Sequence, residues 1–92
     1  MQVNFFATLR SAVGQKTVEI PTESGDTVGS LLRRVLATYP DLEPLMLDDE
    51  GELSRYVHIF VNGRGVVHLP QRLDTPLAED HTIDFFPAVA GG

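Results

Sequence analysis

Residues 28–36 read Val28-Gly29-Ser30-Leu31-Leu32-Arg33-Arg34-Val35-Leu36, and here the periodicity of the chain changes. Val28, Leu31, Leu32, Val35 and Leu36 stand at i, i+3, i+4, i+7 and i+8, one stripe of an α-helix. Asp26 or Thr27 is suited to the N-cap, and Asp26 also suits the positive end of the helix dipole. Pro40 stops the helix near Tyr39, because the residue before a proline disfavours α geometry. Arg33 and Arg34 fall on its polar side. On either side of this segment apolar residues recur at a period of two, so the chain reads as one helix set among strands.

Upstream, Gln2 to Arg10 alternate, with Val3, Phe5, Ala7 and Leu9 on an apolar face and Asn4, Phe6, Thr8 and Arg10 on the other. Gly14 marks a turn, and Thr17 to Ile20 form a second strand with Val18 and Ile20 inward. The two predict an N-terminal hairpin. Downstream, Asp41 to Arg55 is a longer connection whose Leu42, Leu45, Met46 and Leu47 tuck against the core. Within it Asp48-Asp49-Glu50-Gly51-Glu52 is an exposed loop. Tyr56 to Asn62 is a third strand, Asn62-Gly63 a turn signal, and Val66-Val67 a brief fourth strand ending at Pro70. Leu73 to Leu77 is a structured turn. Thr82 to Phe86 is the last strand, with Ile83 and Phe85 inward, and Pro87 ends it. The expected order is β-β-α-β-β-β, an α+β domain with a mixed sheet of about five strands and one main helix packed on one face. Residues 1–87 form this domain. Residues 88–92, Ala-Val-Ala-Gly-Gly, have no apolar periodicity and are expected to project as a flexible tail.

Composition narrows the function. Ninety-two residues supply one core. The absence of cysteine removes disulfides, thiolate metal sites and thiol nucleophiles. A net charge of −6 and a single lysine, Lys16, argue against nucleic-acid binding and favour solubility or a basic partner. The N-terminus has no signal-peptide pattern and no apolar run approaches a membrane span, so a soluble, cytoplasmic protein is expected.

Several stretches resemble one family. They are Phe5-Phe6-Ala7-x-Leu9-Arg10, Gly25-Asp26-Thr27-Val28, His58-Ile59-Phe60-Val61-Asn62-Gly63-Arg64, Leu73-Asp74-Thr75-Pro76-Leu77 and Phe86-Pro87-Ala88-Val89-Ala90-Gly91-Gly92. Together they are similar to the small ubiquitin-like sulfur carriers: the small subunit of molybdopterin synthase, the thiamine sulfur carrier and a carrier of cysteine synthesis. The resemblance spans nearly the whole chain and implies the ubiquitin-like β-grasp fold. It also implies that Gly92 is the working residue, its carboxylate adenylated and then converted to a thiocarboxylate. An E1-like adenylating enzyme, using ATP and magnesium, is the implied partner. The implied acceptor is the molybdopterin synthase large subunit, or another sulfur-accepting enzyme in cysteine or thiamine synthesis. A protein modifier conjugated through Gly92 uses the same adenylate and stays open. No intrinsic catalysis and no bound cofactor are expected, although the chain could count as a subunit of an enzyme.

The tail suits that chemistry. An α-carboxylate is ionised at neutral pH, its ordinary pKa being about 3.3–3.7, and can attack the α-phosphate of ATP. Five extended residues reach about 16 Å at roughly 3.3 Å each. Gly91 and Gly92 lack a Cβ and can thread a narrow channel. Ala88, Val89, Ala90 and Gly91 are therefore expected to bind the partner. Strand parity adds a second feature: if Val3/Phe5, Ile59/Val61 and Ile83/Phe85 face the helix, then Phe6, Phe60 and Phe86 share the opposite face. Three phenylalanines there predict a docking patch, unless the Asp41–Arg55 connection covers them. His58, His68 and His81 match no ligand spacing, so no metal site is expected. The acidic loop lacks the alternating ligands of an EF-hand, and Asn62-Gly63-Arg64-Gly65 opens no helix as a phosphate loop does. Arg10, Arg64 and Arg72 read as solvated side chains.

Overall fold

The first strand is shorter than its alternation predicts. In the computed structural model, which describes residues 1–87, β1 (Gln2–Phe5) ends where the apolar alternation is still running. A helix, α1 (Ala7–Val13), follows one residue later. The chain turns at Ala7, which takes a left-handed φ of 52°. Leu9 is buried as expected, but from a helix, and Ala7 is exposed. The segment Ala7-Thr8-Leu9-Arg10-Ser11-Ala12-Val13 contains good helix formers, and Leu9, Ala12 and Val13 make an i, i+3, i+4 stripe on the core. Gly14, read as a hairpin turn, is the left-handed cap of this helix at φ 86°, its N–H donating to the Arg10 carbonyl at 2.8 Å. β1 does pair antiparallel with β2 (Thr17–Glu19), but across a helix instead of a tight turn.

The main helix, α2 (Val28–Thr38), matches its predicted span. Thr27 is the N-cap in a reciprocal capping box. Its Oγ1 accepts the Ser30 N–H at 3.2 Å and its own N–H donates to Ser30 Oγ at 2.8 Å. Asp26 has a separate role. Its carboxylate is nearly buried and accepts both guanidinium nitrogens of Arg34, at 2.9 and 3.0 Å, with the Glu23 N–H and the Ser30 hydroxyl. The Arg34 guanidinium holds this carboxyl well below the usual carboxylate range, helped by the Glu23 N–H and the Ser30 hydroxyl. Arg34 also donates to the Pro21 carbonyl at 2.9 Å, so it clips the 21–26 loop onto α2 and is only partly exposed.

After α2 the chain makes a 3-10 turn at Pro40–Leu42 and a single helical turn, α3 (Glu43–Met46). Leu42 and Met46 are buried and Leu47 is half-buried, as expected. Leu45 is not: it stands about 100° around the turn from Met46 and is 43% exposed. β3 (Val57–Val61) leads into Asn62 and Gly63, with φ 49° and 82°, the signs that a two-residue hairpin turn requires. Pairing resumes at once, so the fourth strand, β4, is Arg64–Gly65, against Val61 and Phe60. The expected strand at Val66-Val67 is a 3-10 turn (Val66–His68), with Val66 buried and Val67 exposed. A further turn at Arg72–Asp74 packs under α2, where Gly29 leaves room: a Cβ there would stand 3.2 Å from the Leu73 carbonyl. β5 (Thr82–Pro87) closes the described chain, and the predicted tail at 88–92 lies outside the described residues.

The sheet order is β2-β1-β5-β3-β4. β5 runs parallel to β1 and antiparallel to β3, so the sheet is mixed as predicted. The element order is corrected to β-α-β-α-α-β-β-β. Val3, Phe5, Val57, Ile59, Val61, Ile83 and Phe85 meet the buried side of α2 in one core. This leaves the other face of the sheet without a helix.

Candidate functional site

The central position of β5 decides what stands at its C-terminal end. Phe5 of β1 is level with Phe85, and the Phe6 N–H donates to the Phe85 carbonyl at 3.2 Å, carrying Phe6 to the same height as Phe86. On the other side His58 pairs with Phe86 and Val57 with Pro87. Three segments far apart in sequence thus place Phe6, Phe60 and Phe86 together on the face away from α2. The Phe6 and Phe86 rings stack with centroids 4.0 Å apart and planes 7° from parallel. Phe60 meets Phe86 edge-on at 5.4 Å and 87°. Such pairs prefer these two geometries because the ring faces are negative and the edges positive. All three are half-buried, and the Asp41–Arg55 connection sends Leu42 and Met46 into the core on the opposite side.

His58, Phe60, Phe86 and Pro87 line a shallow hollow of about 310 Å³ beside this cluster. Lys16 places its ammonium 5.6 Å from the centre of the Phe6 ring, within cation–π reach. Below the aromatics the same face is polar. Asn4 donates to Asp84 Oδ1 at 2.7 Å and accepts the Thr17 hydroxyl at 2.7 Å. The alternation that predicted the phenylalanines also places Asn4 on this face, but its bond to Asp84 depends on the parallel pairing of β1 with β5, which the sequence pattern does not give. Lys16 was not legible either, because its approach to Phe6 depends on how α1 delivers the chain to β2.

The other singled-out residues are scattered. Among the described residues no group of three histidine, aspartate or glutamate side chains could hold a metal ion. His81 accepts the Ala78 N–H at its Nδ1, 3.1 Å away, as a turn cap. Arg10, Arg64 and Arg72 are exposed. Asp48 Oδ1 accepts the Glu50 and Glu52 N–H groups, which makes the acidic segment a self-contained turn. No helix among the described residues is long and apolar enough to cross a membrane. Gly92 and Ala88, Val89, Ala90 and Gly91 lie outside the described residues.

A mixed five-stranded sheet crossed on one face by a main helix, with the last strand central and parallel to the first, is a ubiquitin-like β-grasp. The chain belongs to the ThiS family, which matches residues 3–92. It is 39% identical over 92 residues to small archaeal modifier protein 3 of Haloferax volcanii, covering 100% of this chain and 98% of that one. It is 36% identical over 81 residues to the sulfur carrier protein CysO of Mycobacterium tuberculosis, covering 86% and 83% of the two chains. The crystal structure of SAMP1 from Haloferax volcanii superposes with a TM-score of 0.86 at 28% identity, over 99% and 97% of the two chains. These relatives are sulfur carriers and ubiquitin-like modifiers, and this chain shares their family and their fold.

Proposed function

We propose that this protein carries sulfur as a thiocarboxylate on Gly92 and docks its enzymes through the face formed by Phe6, Phe60 and Phe86. The observation behind this reading is the aromatic cluster at the end of β5, directly before Ala88-Val89-Ala90-Gly91-Gly92, on an otherwise polar open face. A rigid apolar patch at the root of the tail lets a partner hold the domain while the small residues reach into its active site. There a carboxylate oxygen of Gly92 attacks the α-phosphorus of ATP, and pyrophosphate leaves. Hydrosulfide then attacks the acyl carbon of the adenylate, AMP leaves, and one proton is released. The net change is one oxygen exchanged for sulfur. ATP and magnesium belong to the adenylating partner; the carrier supplies reach, slimness and a docking face.

The acceptor we favour is a pterin precursor held by a molybdopterin synthase large subunit; sulfur delivery in cysteine or thiamine synthesis is the alternative branch. The relative named as a sulfur carrier protein, CysO, supports sulfur carriage without choosing between these branches. A second reading, conjugation to lysines of other proteins, is supported by the relative named as a modifier. Intact mass of the protein from its native host, beside a variant lacking Gly92, separates these readings. We expect a gain of one sulfur for one oxygen, absent without Gly92. Adducts to larger proteins that vanish with Gly92 establish the modifier instead, and neither signal, with the adenylating enzyme active, overturns both. Strains lacking the protein then assign the branch by whether they need cysteine, thiamine or molybdopterin-dependent activity restored.

A further inference from the structure

From Leu53 to Leu73 the chain has no aspartate or glutamate, and its only full charges are Arg55, Arg64 and Arg72. All 13 acidic residues lie outside this stretch. The fold gathers it along one border of the sheet, as β3, the Asn62-Gly63 turn, β4 and the 3-10 turn after it. Along that stretch every full charge is positive, on a molecule of net charge −6, and Glu52 and Asp74 stand just beyond its two ends.

The same border is incomplete as a sheet edge. β4 meets β3 only at Phe60 and Val61. The Asn62 N–H donates to the Thr82 carbonyl at 2.9 Å, so by antiparallel alternation the peptide groups of His58 and Phe60 face β5. Those of Val57 and Ile59 face outward. The Val57 N–H is taken by the Ser54 carbonyl at 3.0 Å, and among the described residues no strand lies beside Val57–Ile59 on that side. A hollow of about 200 Å³ opens there, its apolar lining including Leu53, Val57, Ile59, Val66 and Val67. Val67 is 63% exposed, the most open large apolar side chain among the described residues.

We propose that this edge receives an extended, acidic segment of the same partner protein that covers the aromatic face. The segment lies along Val57–Ile59, sets an apolar side chain into the hollow beside Val67, and turns carboxylates toward Arg55 and Arg64. His58 and Phe60 line both this hollow and the one beside Phe86, so the two surfaces are continuous and one partner reaches both. A second copy of this chain is a poor occupant, because edge-to-edge pairing sets arginines against arginines. The inference rests on the aromatic face being a docking face, and adds the conformation and charge of what docks beside it.

The test titrates the full chain and an Arg64→Glu/Val67→Asp variant with the adenylating enzyme of the native host, at low and at physiological salt. Both positions are exposed, so an unchanged melting temperature certifies the fold of the variant. We expect Kd to rise at least tenfold at low salt, the gap narrowing as salt screens the arginine. Arg33→Glu, on the exposed side of α2, should shift Kd less than twofold. A double-variant Kd within twofold of the parent overturns the proposal, as does an equal loss in Arg33→Glu. Self-association of the free chain that the double variant abolishes overturns it in favour of a second copy. If the parent chain does not bind at all, the aromatic-face reading falls too; if Phe86→Ala weakens binding and the edge variant does not, only the edge proposal fails.

Discussion

Phe85 and Phe86 are neighbours in one strand and have opposite fates, as do Phe5 and Phe6. Phe5 and Phe85 stack at 5.5 Å and 18° beneath α2 and are fully buried. Phe6 and Phe86 stack at 4.0 Å and 7° on the other side of the same two strands and remain half-exposed. The sheet therefore carries the same pair twice, once as core and once as surface. What separates the two is only whether a helix covers that face. An aromatic pair kept where water reaches it contributes less to folding than its buried twin, which leaves apolar area available for a partner.

The comparison can be broken most directly by truncation on the buried side. Phe85→Ala should cost about 3–5 kcal/mol, the usual range for a large buried aromatic, and calorimetry should show a large fall in melting temperature. Phe86→Ala should cost about 1 kcal/mol in stability, in line with a partly exposed aromatic pair, yet weaken binding of the adenylating enzyme tenfold or more. Equal stability losses at the two positions would remove the distinction between the faces.

The helix that makes one face a core offers the next test. Because its folded-state pKa is depressed, Asp26 contributes stability that is present above the ordinary aspartate pKa of about 3.9 and lost as pH falls below it. Urea titrations between pH 6 and pH 2.5 should show stability declining as the solution becomes acidic. Asp26→Asn should be less stable at pH 6 and should flatten that decline. Thr27→Ala removes the acceptor of the capping box and should lower stability by about 1 kcal/mol, without altering partner affinity measured where both proteins are folded. The smallest expected change in melting temperature belongs to Phe60→Ser, on the open face. It should be nearly unchanged while enzyme binding weakens; a large drop would reassign Phe60 to the core.

The strands and helix that the sequence revealed are those whose signal is strong over several residues. Val28 to Leu36 kept its period of 3.6, its cap and its proline stop, and Val57 to Val61 and Thr82 to Phe86 kept their alternation. The errors cluster where two patterns fit equally. Val3, Phe5, Ala7 and Leu9 alternate as a strand, but Leu9, Ala12 and Val13 also form a helical stripe, and the turn at Ala7 chose the second. Val66-Val67 has strand composition, yet the two-residue Asn62-Gly63 turn spends the pairing register on Arg64 and Gly65 first.

By itself the sequence determined a single-core α+β chain with one principal helix, and the inward and outward sides of its central strands. Each is set by residues within a few positions of one another, so spacing alone carries it. The tertiary structure alone decided that β5 enters between β1 and β3, bringing Phe6, Phe60 and Phe86 into ring contact. It alone joined Asp26 to Arg34 and left the Val57–Ile59 edge without a neighbouring strand among the described residues. These depend on pairing between segments as much as 80 residues apart, and such registers are settled by burial of the whole core, which no local pattern encodes.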